Sequence, residues 1–295
     1  MALASMSEIF ERMARNGQEF WEVVLADDMD ERQVSREASM AKMLTTWQAM
    51  QDAADSYTGR KRSVSGLVGG DGMKMRQYTF RGCAMTGGYV SEVIAEALSM
   101  AESNACMRRI VAAPTAGACG VLPAVLLPLC KYEELTQHQL LEALYVAAGI
   151  GSIIAYKASI AGASGGCQAE IGTASAMAAG ALVALRGGEG EQIGHAVAMA
   201  LKNLMGLVCD PVAGLVEVPC VKRNVIGAVN AVSAADMALA GIESRIPVDE
   251  VIDAMGEVGR RLPVELKETA LGGLAATPTG ERVKRDLQGG AQAAY

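Results

Sequence analysis

The chain has 295 residues, 51% of them hydrophobic but only 4% aromatic, with 33 glycines. That length can bury a large core, and a core of Ala, Val, Leu, Ile and Met interleaved with glycine suits closely packed helices. The formal net charge of -7 argues against nucleic-acid binding, whose footprint is basic, and beyond solubility it says little about partners.

In chain order, residues 5–60 read as helix, because charged and apolar residues alternate near a period of 3.6 through SEIFERMARN and DERQVSREASMAKMLTTWQAMQDAADSY. SGLVGGDG (65–72) reads as a glycine-rich loop, and 90–109 returns to helix. APTAGACG (113–120) is a second turn leading into VLPAVLLPLC. Thr136 opens a helix that runs to Tyr156, and further helices fit 168–186, 191–206, 224–240 and 248–260. The last carries Asp249 and Glu250 in its first turn, where the helix dipole favours acids. Strand-like alternation is scarce, and no repeat or low-complexity linker divides the chain. The expectation is an all-α fold: one compact domain, 1–295, of buried helices joined by Gly/Pro-rich loops, its polar tail after about 280 loosely held.

The most apolar stretch, 172–185, is shorter than the roughly 20 residues a bilayer requires. The N-terminal MALASMSEIFERMARNGQEF has no basic start, apolar centre or cleavage-like site. A cytoplasmic location without membrane association is therefore expected.

Seven cysteines, an odd number, argue against a disulfide framework in a reducing compartment. Buried structural thiols, metal ligands and nucleophiles remain. Cys167, Cys209 and Cys220 share a local chemistry: Gly166 precedes Cys167, Pro211 follows Cys209, and Pro219 precedes Cys220. Proline extends the residue before it and removes an N–H; glycine lets the chain approach a bulky object. Such turns fit the ligand loops of an iron–sulfur cluster, and three thiolates on a four-iron cube would leave one iron free for substrate. The spacing is not the compact CxxCxxC of a ferredoxin, so burial as small hydrophobes stays open. Zinc would want a fourth protein ligand, which is not evident nearby. Cys83, Cys106, Cys119 and Cys130 are assigned to packing.

SGLVGGDG, APTAGACGVLPAVL, GGCQAEIGTASAMAAG, CDPVAGLVEVPCVKRN and KETALGGLA, in that order across 65–279, resemble the catalytic domain of iron–sulfur-dependent L-serine dehydratases, in particular the alpha subunit of the two-chain form. The resemblance implies an all-helical catalytic domain and a [4Fe–4S] cluster held by Cys167, Cys209 and Cys220. It implies deamination of L-serine to pyruvate and ammonia without pyridoxal phosphate, in amino-acid degradation and gluconeogenesis, by an oligomeric enzyme. Single-chain members carry an additional domain with an SSSHT-type motif. Nothing like it appears here, so a beta chain is expected to complete the enzyme and to supply that motif's histidine. The ending AQAAY offers the cluster no further thiolate.

In that reaction an open iron would act as a Lewis acid on the departing hydroxyl. Glycine-rich loops backed by helix N-termini would stabilise the substrate's carboxylate side. Thr115, Ala116 and Gly117 are the first candidates for substrate binding and Ser65 and Gly66 the second, with Asn104 orienting the substrate. His138 and His195 lie outside the matched motifs. Lys267 and Glu268, in LKETALGGLA, are the candidates for acid–base or ammonium-binding work. Rival readings are the same chemistry on L-threonine or L-cysteine, a pyridoxal-phosphate enzyme using Lys157, and a non-catalytic helical scaffold or regulatory subunit.

Overall fold

A computed structural model describes residues 3–292. The segment read as one helical run is three helices: α1 (Met6–Asn16), α2 (Phe20–Arg32) and α3 (Arg36–Asp55). Left-handed C-caps interrupt it, Gly17 at φ 64° and Gln33 at φ 53°. The capping box of Glu19 with Glu22 and the Ser35 hydroxyl, which accepts from Ala38 N, restart it. Period alone did not reveal these breaks, because the amphipathic pattern resumes within three residues.

The remaining helices are α4 (Asp71–Phe80), α5 (Gly87–Ala105), α6 (Val121–Tyr132), α7 (Gln137–Lys157), α8 (Gly162–Gly165), α9 (Thr173–Leu185), α10 (Gly190–Leu204), α11 (Cys220–Leu239), α12 (Val248–Arg261) and α13 (Pro278–Gln292). No strand occurs among the described residues; there is one isolated parallel bridge, between Cys209 and Lys267. The fold is all-α, as expected from composition. Helix α4 begins inside the stretch read as loop. The stretch read as a tail is helix α13 as far as 292, packed on the 3-10 turn Val212–Gly214; residues 293–295 lie outside the described ones.

Helix α9 is the centre. Its sequence, TASAMAAGALVAL, is small and apolar all round, so it can be covered on every side, and Thr173 to Val183 are all buried. Helices α6, α7, α10 and α11 pack on it. The α7 contact is close because position 180 is glycine: a Cβ there would lie 2.2 Å from Ile150 Cδ1. Helix α7 is long and apolar enough to cross a bilayer by length and composition, but two-thirds of its apolar window is buried in this core. Asp249, in the first turn of α12, ties down α1 by accepting from Met6 N at 3.1 Å and Ser7 N at 2.9 Å.

Candidate active site: thiols at the helix ends

Three elements bring the thiols together at one end of this bundle. Cys167 follows Gly166 (φ 76°) and precedes a π-helical turn, Gln168–Gly172, that runs into α9. Cys220 is the first residue of α11. Cys209 lies in the bridge with Lys267, its N–H donating to Leu266 O at 2.9 Å and its carbonyl accepting from Glu268 N at 2.8 Å. Cys167 and Cys209 are buried and Cys220 is half-buried. Burial pushes Cys167 up to about 11 and Cys220 up to about 12, and it raises Cys209 as well. The Cys167 thiol adds to the rise at the other two, so the sulfurs share one electrostatic neighbourhood.

A positive counterweight stands beside them. Arg223, one turn into α11, donates to Val208 O at 2.7 Å and to Asp210 Oδ1 at 2.8 Å. Burial alone would lower its pKa, but Cys167 and Asp210 outweigh that and raise it. Asp210 is itself buried, and its second oxygen accepts from Leu274 N at 2.8 Å. That approach explains the glycine pair of KETALGGLA: a Cβ on Gly273 (φ 58°) would meet Asp210 Oδ2 at 2.4 Å.

Side chains bonded to backbone fix the surrounding loops. Asn224 accepts from Gly120 N at 2.8 Å and donates to Gly117 O at 2.8 Å and Cys220 O at 3.0 Å. It thereby clamps the 115–120 turn onto α11 beside the thiol. Asn104 Nδ2 donates to Ala116 O at 3.0 Å, so it holds the turn. Ser65 donates to the buried Glu217, as does Ser63 at 2.7 Å, which docks the 63–68 loop just upstream of Cys220; Gly66, at φ 74°, is exposed in that loop. The Glu102 carboxylate anchors the start of α4, accepting from Gly70 N at 3.0 Å and Asp71 N at 2.7 Å.

Glu170 lies in the π-helical turn, an irregularity common at functional sites. Its Oε1 accepts from Thr115 Oγ1 at 2.7 Å. Glycines make room for it: a Cβ on Gly162 would lie 2.8 Å from Glu170 Oε2 and 3.1 Å from Cys209 Sγ, and one on Gly117 3.1 Å from Oε1. Burial raises its pKa, the Thr115 hydroxyl lowers it, and Glu268 raises it further. Glu268 is exposed yet close enough to act on Glu170 and Cys209. Lys267 points its amine to Arg260 O at 3.2 Å, the end of α12.

Of the sequence candidates, Cys167, Cys209, Cys220, Thr115, Gly117 and Glu268 stand together, while Ser65 and Asn104 act on the loops. Sequence reasoning missed Glu170, Asp210, Glu217, Arg223 and Asn224. Each is a polar residue inside a quoted motif, and that was the available signal. The packing role given to four other cysteines holds for Cys119, which is buried. Cys106 is half-buried, while Cys83 and Cys130 are exposed; Cys130 ends the apolar run of α6 and turns outward. The histidines are engaged elsewhere: His138 stacks edge-on against Trp21, and His195 Nδ1 accepts from Ser244 N at 3.3 Å. Lys157 is paired with Asp249 at 3.3 Å and Asp253 at 3.2 Å, which speaks against a free Schiff-base amine.

Among the described residues, no three His, Cys, Asp or Glu side chains are close enough to hold a single metal ion. A tetrahedral zinc, about 2.3 Å from each sulfur, would require that closeness. An iron–sulfur cube takes each thiolate on a different iron and so accepts wider spacing. The donor set fits such a group: three inward thiols, two of them at helix N-termini whose partial positive charge favours anions, with Arg223 alongside and a glycine cradle at Gly162. The larger surface cavities, about 520 Å³ near Arg76 and Glu96 and about 990 Å³ between α1 and α10, lie away from the thiols.

Comparison with known proteins places the chain in a family. The family model described as serine dehydratase alpha chain matches residues 15–275. A probable L-serine dehydratase alpha chain of Bacillus subtilis (strain 168) is 47% identical over 270 residues, covering 92% of this chain and 90% of that one. The L-serine dehydratase alpha chain of Peptoniphilus asaccharolyticus is 39% identical over 286 residues, 97% of this chain and 98% of that one. L-serine dehydratase 2 of Escherichia coli (strain K12) is 47% identical over 181 residues, which is 61% of this chain but 40% of that protein. With its five motifs gathered around one thiol cluster and its length matched almost end to end by alpha chains, the chain belongs to the serine dehydratase alpha chain family.

Proposed function

We propose that this chain is the catalytic alpha chain of an L-serine dehydratase whose [4Fe–4S] cluster is held by Cys167, Cys209 and Cys220. The observation that carries the reading is the convergence of three thiols, from the starts of two helices and one bridge, beside the half-buried Arg223. When bound, the cluster would supply Lewis-acid polarisation of the substrate hydroxyl at its open iron.

The chain's own residues do the rest. Arg223, fixed by Asp210, offsets the negative charge of three thiolates in a site where burial disfavours each of them. Ala116 N and Gly117 N begin a 3-10 turn and donate to no acceptor among the described residues. They are free to receive the substrate carboxylate, whose charge grows as the Cα proton leaves. Loss of that proton and of the β-hydroxyl gives an enamine, which tautomerises to the imine and hydrolyses to pyruvate and ammonium. Both histidines are engaged elsewhere, and Lys267 turns its amine to Arg260 O. The proton acceptor is therefore either Glu268, exposed beside Glu170 and Cys209, or the histidine that the resemblance assigns to a companion chain. In the second case the alpha chain alone is inactive toward L-serine.

The test is anaerobic purification with assay of iron and acid-labile sulfide, then mixing with the companion chain and measuring pyruvate from L-serine, with 2-oxobutyrate from L-threonine and sulfide from L-cysteine as controls. Near-stoichiometric cluster, lost together with activity in Cys209→Ser, is the expected result. Full cluster content and full activity in that variant would remove the ligand assignment, and an iron-free active enzyme would remove the whole reading.

A further inference from the structure

We propose that Glu170 receives the α-ammonium group of the substrate. The inference rests on the dehydratase reading above and deepens it. In that reading the carboxylate and hydroxyl of the amino acid are taken up by the amides of the 115–117 turn and by the cluster. The ammonium group is left needing an anionic acceptor at the same place.

Glu170 meets the requirement. Thr115 fixes one carboxylate oxygen, at 2.7 Å, and thereby orients the other. That second oxygen, Oε2, accepts no hydrogen bond from any described residue and is not among the sealed, unpaired polar atoms of the interior. It and Cys209 Sγ converge on the space before Gly162, where a side chain of any size would collide with both. Among the described residues no cation pairs with this carboxylate: Arg223, the guanidinium beside the thiols, is engaged by Asp210, Val208 O and Cys167. A half-buried carboxylate with one oriented free oxygen, no cationic partner and glycine on two sides is complementary to a small ammonium group, and a charge-assisted hydrogen bond supplies the affinity. Of the other carboxylates nearby, Asp210 is taken up by Arg223 and Leu274 N and Glu268 is exposed.

The experiment uses the anaerobically reconstituted enzyme with its companion chain. Calorimetry compares L-alanine with propanoate, a pair that differs in the ammonium group and undergoes no dehydration. In Glu170→Gln, L-alanine binding is expected to weaken about tenfold to a hundredfold, as for loss of a hydrogen bond to a charged group. Propanoate should stay within about twofold, with the cluster absorbance retained. Thr115→Val should show the same selective loss at several-fold, and it decides the matter if Glu170→Gln does not fold. Equal weakening of both ligands, no change in their ratio, or a selective loss found in Glu268→Gln instead would overturn the inference. Wild-type enzyme that deaminates no serine would fail the dehydratase reading itself; wild-type activity with an unaltered ratio in the variants fails the ammonium role alone.

Discussion

Around α9 apolar side chains meet apolar side chains. Asn230 reaches in to donate to Ser175 at 2.9 Å, while Thr173 Oγ1 is buried with no partner among the described residues. Around Cys209 the reverse holds: Asp210, Arg223, Glu217, Asn224 and Glu170 each bond to a backbone group or a side chain from a distant part of the chain. The centre is held by volume and the thiol rim by directed polar contacts. A volume-based core tolerates exchange of one apolar residue for another of similar size. A polar rim does not, because each unmade bond leaves a buried group unsatisfied.

The sharpest way to break this contrast is Asp210→Ala. The variant takes the carboxylate from the half-buried Arg223 guanidinium and leaves Leu274 N without its acceptor. Removal of one partner from a fully buried pair costs about 3–5 kcal/mol, and the loss here should lie below that range because Arg223 is partly exposed and keeps Val208 O. Urea unfolding of the purified chain should report that loss, and bound iron should fall with it. A variant that kept both its unfolding midpoint and its iron would show that the rim does not depend on this contact.

Ile150→Ala tests the centre. Ile150 is fully buried against Gly180, and truncation of such a residue costs about 2–5 kcal/mol. The protein should unfold at lower urea yet carry the same iron per folded chain. Loss of iron here, at unchanged folded fraction, would erase the distinction between the two regions.

The same division explains what the sequence disclosed. Helix α9 was legible because an unbroken run of small apolar residues has few ways to be satisfied other than burial on all sides. The three cysteines were legible because glycine and proline flank them. Arg223 and Asn224 were not, although they stand in the quoted CVKRN. A polar residue four positions into a helix reads as surface unless one knows that Val208 O, Gly117 O and Gly120 N converge on it, and those partners lie 15 to 107 residues away in sequence. Likewise the period that marks residues 5–60 as helical persists across the caps at Gly17 and Gln33, so helix type was readable and helix number was not. Cys130 shows the opposite error, an apolar neighbourhood in sequence whose last turn faces outward.

The smallest expected effect separates a thiol that belongs to packing from those of the rim. Cys119 is fully buried, its sulfur near Met100 O at 3.7 Å, and burial pushes its pKa from the ordinary 9.0 up to about 12. Between those values the unfolded chain gives up the thiol proton and the folded chain keeps it. Ionisation therefore favours unfolding, and stability that is fully present below pH 9 declines as pH rises toward 12. The decline approaches about 1.4 kcal/mol per pH unit for one thiol. Cys119→Ala lacks this loss, and its small cavity costs the same at every pH. The other six thiols titrate alike in both proteins and cancel in the comparison. From pH 8 to pH 10, urea unfolding of the metal-free chain should therefore cost the wild type about 1.4 kcal/mol more than the variant. Parallel losses in the two proteins would mean that Cys119 reaches solvent in the native state, which would place the 115–120 turn among the mobile parts of the rim instead of the fixed floor beneath it.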